Sequence, residues 1–212
     1  MKKVIFYFDG FNFYNGLKDQ AEIEPVWKTY YWIDIVKLCN QFFSEGDSII
    51  SVKYYTSKPI NKYKSSRQAA FLGANKLING ENFTILHGQN ISKNVLCLAS
   101  CGKVFTTLEE KRTDVNIAIN MLLDCIHDRV DTLILVSADS DQIPTIQAIK
   151  NEYPQKKVKV YFPPRRDSYD LTNLCNPVVF LDRHETKFKA AIMPGIVEKD
   201  GKKYTRPENW QK

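Results

Sequence analysis

Six short apolar runs, four to seven residues long and separated by longer amphipathic stretches, set the tightest limit on what this chain can fold into. They are Val4–Phe8, Ile49–Tyr55, Phe83–Leu86, Leu133–Val136, Val158–Phe162 and Val178–Leu181, all rich in β-branched and aromatic residues. That length and composition suit strands buried on both faces. Helical patterns lie between them near Trp32–Phe43, Lys62–Ile78, Asp114–Ile126, Asp141–Tyr153 and, more briefly, Tyr169–Cys175. In the third, Val115, Ala118, Ile119, Leu122, Cys125 and Ile126 recur at three- and four-residue spacing and predict one buried stripe. Strands alternating with helices cross over right-handed, so the expected architecture is α/β: a mostly parallel central sheet with helices on both faces. Ligands of such sheets sit at the carboxyl edge, where the strands end.

Residues 88–112 interrupt the rhythm and read as an excursion with a short strand around Val95–Leu98. From Asp182 onward the chain carries Pro194, Gly195, Pro207 and alternating charge without strong periodicity, so 182–212 is expected to wrap the domain in extended form or to be partly disordered. With 212 residues, 43% of them hydrophobic, the remainder is enough for one domain over 1–181. No apolar run approaches the roughly 18 residues of a membrane span. The opening MKKVIFYFD loses its apolar character at Asp9, too soon for a signal peptide, so a cytoplasmic protein is expected. Thirty Lys and Arg against 24 Asp and Glu give a net charge of +6, which bears on partners and not on fold. A homo-oligomer is compatible with all of this. Five cysteines form an odd set, partly within apolar patterns, and no disulfide framework is indicated.

The acids fall where the strands end. The first strand runs into Asp9-Gly10-Phe11-Asn12, and Gly10 would let the chain turn sharply. Leu133–Val136 feeds Ser137-Ala138-Asp139-Ser140-Asp141 and then a helix with Pro144 in its first turn, while Asp114 opens the clearest helix after Glu109-Glu110-Lys111-Arg112-Thr113. Singly, Asp141 could be a helix N-cap, Asp114 a first-turn acid and Asp9 a turn residue. Jointly, four carboxylates at one edge would repel by roughly 3 kcal/mol per pair at about 6 Å and an effective dielectric near 20. A cation between them resolves the repulsion, and hard oxygen donors without histidine favour Mg²⁺ or Mn²⁺ over zinc.

The motifs VIFYFDGFNFY, EEKRTDVNIAINML and LILVSADSDQIP resemble, in order and spacing, the NYN domain family of PIN-like metal-dependent nucleases, and VKVYFPPRRDSYDL and IMPGIVEKDGKKYTRPENW extend the resemblance over nearly the whole chain. Many relatives have Gly at the position of Ala138, a small departure. The resemblance implies a PIN-like, Rossmann-like three-layer sandwich, with 88–112 as an insertion. It also implies a metal site at Asp9, Asp114, Asp139 and Asp141, with Asn12 as a further catalytic group and Ser137 and Glu110 as polar support. The activity it implies is Mg²⁺- or Mn²⁺-dependent hydrolysis of phosphodiester bonds, in RNA and most naturally in single-stranded RNA.

Between Ser51 and Arg67 the chain carries Lys53, Lys58, Lys62, Lys64 and Arg67 without an acid, interleaved with Tyr54, Tyr55 and Tyr63. Cations to neutralise phosphates and rings to stack on bases suit an RNA surface, although a solvated helix beside half-buried strand tyrosines has the same composition. Arg165 and Arg166, after Pro163-Pro164, offer a second phosphate contact or simply a stiff polar loop. Cys97 and Cys101 are a weak candidate for structural zinc, since only His87 lies near them. Neither GxxxxGK[ST] nor GxGxxG is present, which disfavours nucleotide-driven chemistry. Two alternatives to a ribonuclease remain: an RNA-binding or regulatory module that keeps the acidic cleft without turnover, and a small-molecule phosphoesterase. The second must do without the DxD nucleophile motif, because Phe11 stands two positions after Asp9.

Overall fold

A computed structural model of the chain describes residues 2–43, 47–97 and 101–210. In chain order the elements are β1 (Lys2–Asp9), α1 (Gly10–Ile23), a 3-10 turn (Pro25–Tyr31), α2 (Ile35–Asn40), β2 (Asp47–Thr56), α3 (Lys62–Asn79), β3 (Phe83–His87), β4 (Gln89–Leu96) and β5 (Val104–Lys111). There follow α4 (Thr113–Ile126), β6 (Thr132–Val136), α5 (Ile143–Glu152), β7 (Lys157–Phe162), α6 (Tyr169–Cys175), β8 (Val179–Phe180), α7 (Glu185–Ala190), β9 (Ile196–Lys199) and β10 (Lys202–Thr205). Six strands form a parallel sheet in the order β3-β2-β1-β6-β7-β8. The chain therefore moves outward from β1 through β2 to β3, returns to β6, and moves outward the other way. The switch point lies between β1 and β6, where adjacent crossovers diverge and leave a crevice at the carboxyl edge.

The alternation of β1 builds the three layers. Val4, Phe6 and Phe8 face one core with Phe13 and Leu17 of α1, Leu38 of α2, Phe71 of α3 and Phe188 of α7. Ile5 and Tyr7 face the other, with Ile117 and Met121 of α4, Ile146 and Ile149 of α5 and Leu171 of α6. Residues at i and i+2 of a strand share a face, so a central strand covered on both sides must be apolar at every position.

Several expectations need correcting. No helix was expected between Asp9 and Trp32, yet α1 fills Gly10–Ile23. Its two glycines and two asparagines are poor helix formers, so packing and not propensity decides it: Phe13, Gly16, Leu17 and Gln20 are buried at helical spacing. Gly10 makes no turn of its own. It is the first residue of that helix, and a Cβ there would lie 2.4 Å from the Tyr54 ring and 2.7 Å from the Tyr55 carbonyl oxygen. The helix expected over Trp32–Phe43 shrinks to Ile35–Asn40 because Asp34 caps it, accepting from the Lys37 N–H at 2.9 Å.

The apolar stripe read on α4 is right only in part: Cys125 is in the core and Ala118 and Leu122 are half-buried, but the buried face is centred elsewhere. Ile117, Met121 and Cys125 are buried, whereas Val115, Ile119 and Ile126 are exposed. The helix is apolar on both sides, and three- and four-residue spacing fits either. What orients it is polar: Asp124 is buried against Tyr7 and Lys53, which turns that face to the sheet.

Within 88–112, β4 and β5 form an antiparallel hairpin. The strand expected over Val95–Leu98 overlaps only the end of β4, and Leu98 lies outside the described residues. At the hairpin base the Asn90 amide donates to the Lys58 carbonyl at 2.7 Å, and its Oδ1 accepts from the Ser57 hydroxyl at 3.0 Å. Beyond Asp182, Ile192 bridges to Ile33, β9 and β10 form a second hairpin beside α3, and Trp210 is buried against Tyr14, Tyr31, Trp32 and Phe71. Among the described residues no helix is long and apolar enough to cross a membrane.

Candidate functional site

At the crevice between β1 and β6, three distant chain segments deliver carboxylates. Asp9, Asp114 and Asp139 each offer an oxygen, and these oxygens lie within 4.8 Å of one another. Asp9 is the last residue of β1 and also the N-cap of α1: its Oδ1 accepts from the Asn12 N–H at 2.9 Å. Its Oδ2 accepts from the buried Ser137 hydroxyl at 2.9 Å, and the same hydroxyl oxygen accepts from the Asp139 N–H at 3.1 Å. Asn12 ties the two strand ends from the other side, its Oδ1 accepting from the Ala138 N–H at 3.3 Å. Asp139 turns the chain into α5 by accepting from the Asp141 N–H at 2.9 Å. The cap of that turn is thus Asp139, while Asp141 is exposed and stands outside the three-carboxylate group.

Asp114 arrives through a tight junction. Arg112 adopts the left-handed region at φ 77°, swinging the chain from β5 into α4. A non-glycine residue there is uncommon and strained. Glu110, near the end of β5, accepts from the Thr113 hydroxyl at 2.6 Å. The Gln142 amide donates to the Asp114 carbonyl at 3.2 Å, and its own carbonyl oxygen is buried without a partner. Arg112, Thr113 and Gln142 were not singled out from sequence. The readable signal was Gln142, a long polar side chain beside the apolar start of a helix.

The electrostatics are those of a negative pocket in a low-dielectric wall. Burial pushes the Asp9 carboxyl up to about 6, with Asp114 and Glu110 adding repulsion, against the opposing hydrogen bonds from Asn12 and Ser137. Asp114 is also raised, first by burial and then by Asp139, Glu110 and Asp141. No Lys or Arg pairs with Asp9, Asp114 or Asp139 among the described residues. Each carboxylate keeps a free lone pair, and all the donors are hard oxygens. That set fits a small divalent cation such as Mg²⁺ or Mn²⁺.

The cations divided into two groups. Lys58, Lys62 and Lys64 are exposed after the carboxyl end of β2, Arg67 is half-buried one turn further along α3, and Arg165 is exposed after β7. Lys53 does not belong with them: it is a strand residue whose Nζ lies 2.5 Å from the buried Asp124 carboxylate. Arg166 likewise pairs with Asp19, and its side chain lies against Gly16. Both are paired within the protein, Lys53 with a fully buried carboxylate and Arg166 with a half-exposed one. Tyr54 and Tyr55 are buried and offer no stacking face. In the β4–β5 hairpin a hydrogen bond with the Lys103 backbone, and then one with Cys97, lower the pKa of the exposed Cys101 thiol. Among the described residues no third Cys, His, Asp or Glu joins the pair in a metal-binding group.

Comparison with known proteins supports the architecture. A crystal structure of a protein of unknown function from Vibrio parahaemolyticus superposes with a TM-score of 0.55, at 21% identity, over 84% of this chain and 91% of the other. That likeness speaks to the fold alone. No curated protein matches the sequence significantly. Residues 3–182, most of the chain, match the NYN domain family model, and the protein belongs to the NYN domain family.

Proposed function

We propose that the protein is a metal-dependent ribonuclease that hydrolyses phosphodiester bonds of single-stranded RNA at the crevice between β1 and β6. One observation carries the reading: carboxylates from three separate segments lie within 4.8 Å of one another with no cation of the protein between them. Asp9, Asp114 and Asp139 would hold Mg²⁺ or Mn²⁺, and Asp141 would reach it through solvent. When bound, the ion supplies Lewis acidity toward the phosphate and lowers the pKa of a water at the site.

The chain's own residues prepare for that chemistry. The Asn12 N–H and the Ser137 hydroxyl each occupy one lone pair of Asp9, on Oδ1 and Oδ2, and so fix the direction of the lone pair that remains on each oxygen. Glu110, held by Thr113, adds negative charge that strengthens the demand for a cation. Lys58, Lys62, Lys64, Arg67 and Arg165 line the approach along the carboxyl edge, where they can neutralise phosphates on either side of the reacting one. Residues 1–181 form the nuclease unit in this reading, and the described part of 182–212 wraps it. Net positive charge overall and a negative pocket locally suit a polyanion held at its flanks and cut at a metal.

The test is incubation of the purified protein with mixed labelled RNAs, with and without Mn²⁺, beside the Asp139→Asn variant. Fragments are expected only from the parental protein with metal. RNA left intact in every lane would overturn the reading.

A further inference from the structure

The carboxyl edge carries a second set of side chains that packing does not explain. The chain has 12 Phe, 11 Tyr and 3 Trp, and only Phe11, Tyr63, Phe105 and Tyr169 are exposed among the described residues. Phe105 sits on the β4–β5 hairpin. The other three occupy equivalent places in three strand–helix units: Phe11 is the second residue of α1, after β1; Tyr63 the second of α3, after β2; Tyr169 the first of α6, after β7. Their exposures are 60%, 80% and 79%. A single exposed ring is unremarkable on any protein surface. Three at one structural position along one edge, in a chain that tucks nearly every other ring away, form a pattern.

Helix geometry says which way they lean. Cα–Cβ bonds tilt toward the helix N-terminus, so a first-turn side chain projects over the start of its helix. Here that start is the carboxyl edge, where Asp9, Asp114 and Asp139 meet. The strands β2, β1, β6 and β7 are consecutive neighbours in the sheet. At about 4.8 Å per strand, β2 and β7 lie roughly 14 Å apart in the sheet with Phe11 and the acids between them, and because α1 and α3 cover one face and α6 the other, a strand from Tyr63 to Tyr169 crosses the edge from one layer to the opposite one. At the 3.4 Å rise of a stacked strand the in-sheet part of that path alone takes about four nucleotides. Charge runs alongside: Lys62 and Lys64 flank Tyr63, and the exposed Arg165 precedes Tyr169.

We propose that Phe11, Tyr63 and Tyr169 form a base-stacking track for unpaired nucleotides, with Phe11, between Asp9 and Asn12, seating the base beside the bond that is cut. The inference rests on the ribonuclease reading and adds the residues that would select single strands. Bases in a duplex hide their faces in the stack, whereas an unpaired base can lie on a ring, and every base has a face to offer. The track therefore rejects duplexes while imposing little sequence preference.

The experiment compares the parental protein with Phe11→Ala, Phe11→Trp, Tyr63→Ala, Tyr169→Ala and, away from the edge, Phe105→Ala. Each is assayed with Mn²⁺ on a labelled single-stranded RNA and on the same RNA with one abasic nucleotide at the cleaved position. Phe11→Ala is expected to raise KM about tenfold with a smaller change in kcat, the tyrosine variants less, and Phe11→Trp and Phe105→Ala to stay near parental. The parental enzyme should lose about tenfold on the abasic RNA, and Phe11→Ala should lose nothing further. Melting temperatures should not move, since the rings are exposed. If Phe11→Ala keeps parental KM, or discriminates against the abasic RNA as the parent does, the track is overturned while the nuclease reading stands. If the parental protein cuts no RNA, that reading falls, and fluorescence anisotropy with the same labelled strand decides the track: equal affinity for parent and Phe11→Ala overturns it, weaker affinity for the variant supports it.

Discussion

Two buried aspartates on the same face of the sheet have been treated in opposite ways. Asp124, 1% exposed on α4, accepts from the Tyr7 hydroxyl at 2.7 Å and from Lys53 at 2.5 Å, with Arg129 at 3.7 Å. Asp9, 6% exposed and two residues along β1 from Tyr7, receives only neutral donors and faces Asp114 and Glu110. A charge removed from water needs a counter-charge or a shift toward its neutral form. The fold supplies the counter-charge to Asp124 and withholds it from Asp9. The same helix displays both choices, with Asp114 at one end and Asp124 near the other. What differs is access: Asp124 lies inside the layers, whereas Asp9 lies at an open edge where an ion can enter.

The sharpest way to break this comparison is activity. Asp9→Asn and Asp139→Asn should each lower Mn²⁺-dependent RNA cleavage by on the order of a hundredfold or more while circular dichroism stays parental. Unchanged rates in both would remove the functional half of the contrast. Next in size is stability at the paired site: Asp124→Ala strands the largely buried Lys53 and should cost about 3–5 kcal/mol in urea unfolding. A cost below about 1 kcal/mol would mean that water, and not the carboxylate, satisfies Lys53.

The unpaired site should behave inversely. Millimolar Mn²⁺ should stabilise the parental protein, by about 2.7 kcal/mol at a hundred times the dissociation constant, and should leave Asp9→Asn nearly unmoved. Equal shifts in both would place the ion elsewhere. Without metal, pH reads the burial of that unpaired carboxyl, with repulsion from Asp114 and Glu110 added to it. The folded Asp9 carboxyl, at about 6, lies above its ordinary 3.8, so the native state holds its proton more tightly than the unfolded chain does. Its contribution is therefore fully present below about 3.8 and is lost as pH rises through 6, a change on the order of 2–3 kcal/mol. Urea midpoints of Asp9→Asn across that window should show a flatter slope. The smallest effect belongs to the half-exposed pair of Arg166 with Asp19: replacing Asp19 by Asn should change stability by about 1 kcal/mol or less.

Much of the architecture was legible because its signals are local. β1, β2, β3, β6 and β7 announce themselves as β-branched and aromatic runs, and Tyr169–Cys175 was read with its observed limits. The convergence of Asp9, Asp114 and Asp139 also followed from local facts, since each stands at a strand end or helix start and a parallel sheet collects such positions on one edge. The failures share a cause. Lys53 looked like its neighbours Lys58 and Lys62 until Asp124 came within 2.5 Å of it. Tyr54 and Tyr55 looked like stacking faces until the sheet closed over them. α1 lacks the composition of a helix and becomes one because Asp9 caps it and Phe13 and Leu17 have a core to enter.

By itself the order of residues determined periodicity, strand ends and the identity of the donors, because these depend on neighbours a few positions apart. Only the tertiary structure decided which face of α4 is buried, which cations are spent on internal pairs, and which three carboxylates share a pocket. Those outcomes depend on distances between residues tens of positions to more than a hundred positions apart, and burial and electrostatic pairing act through space.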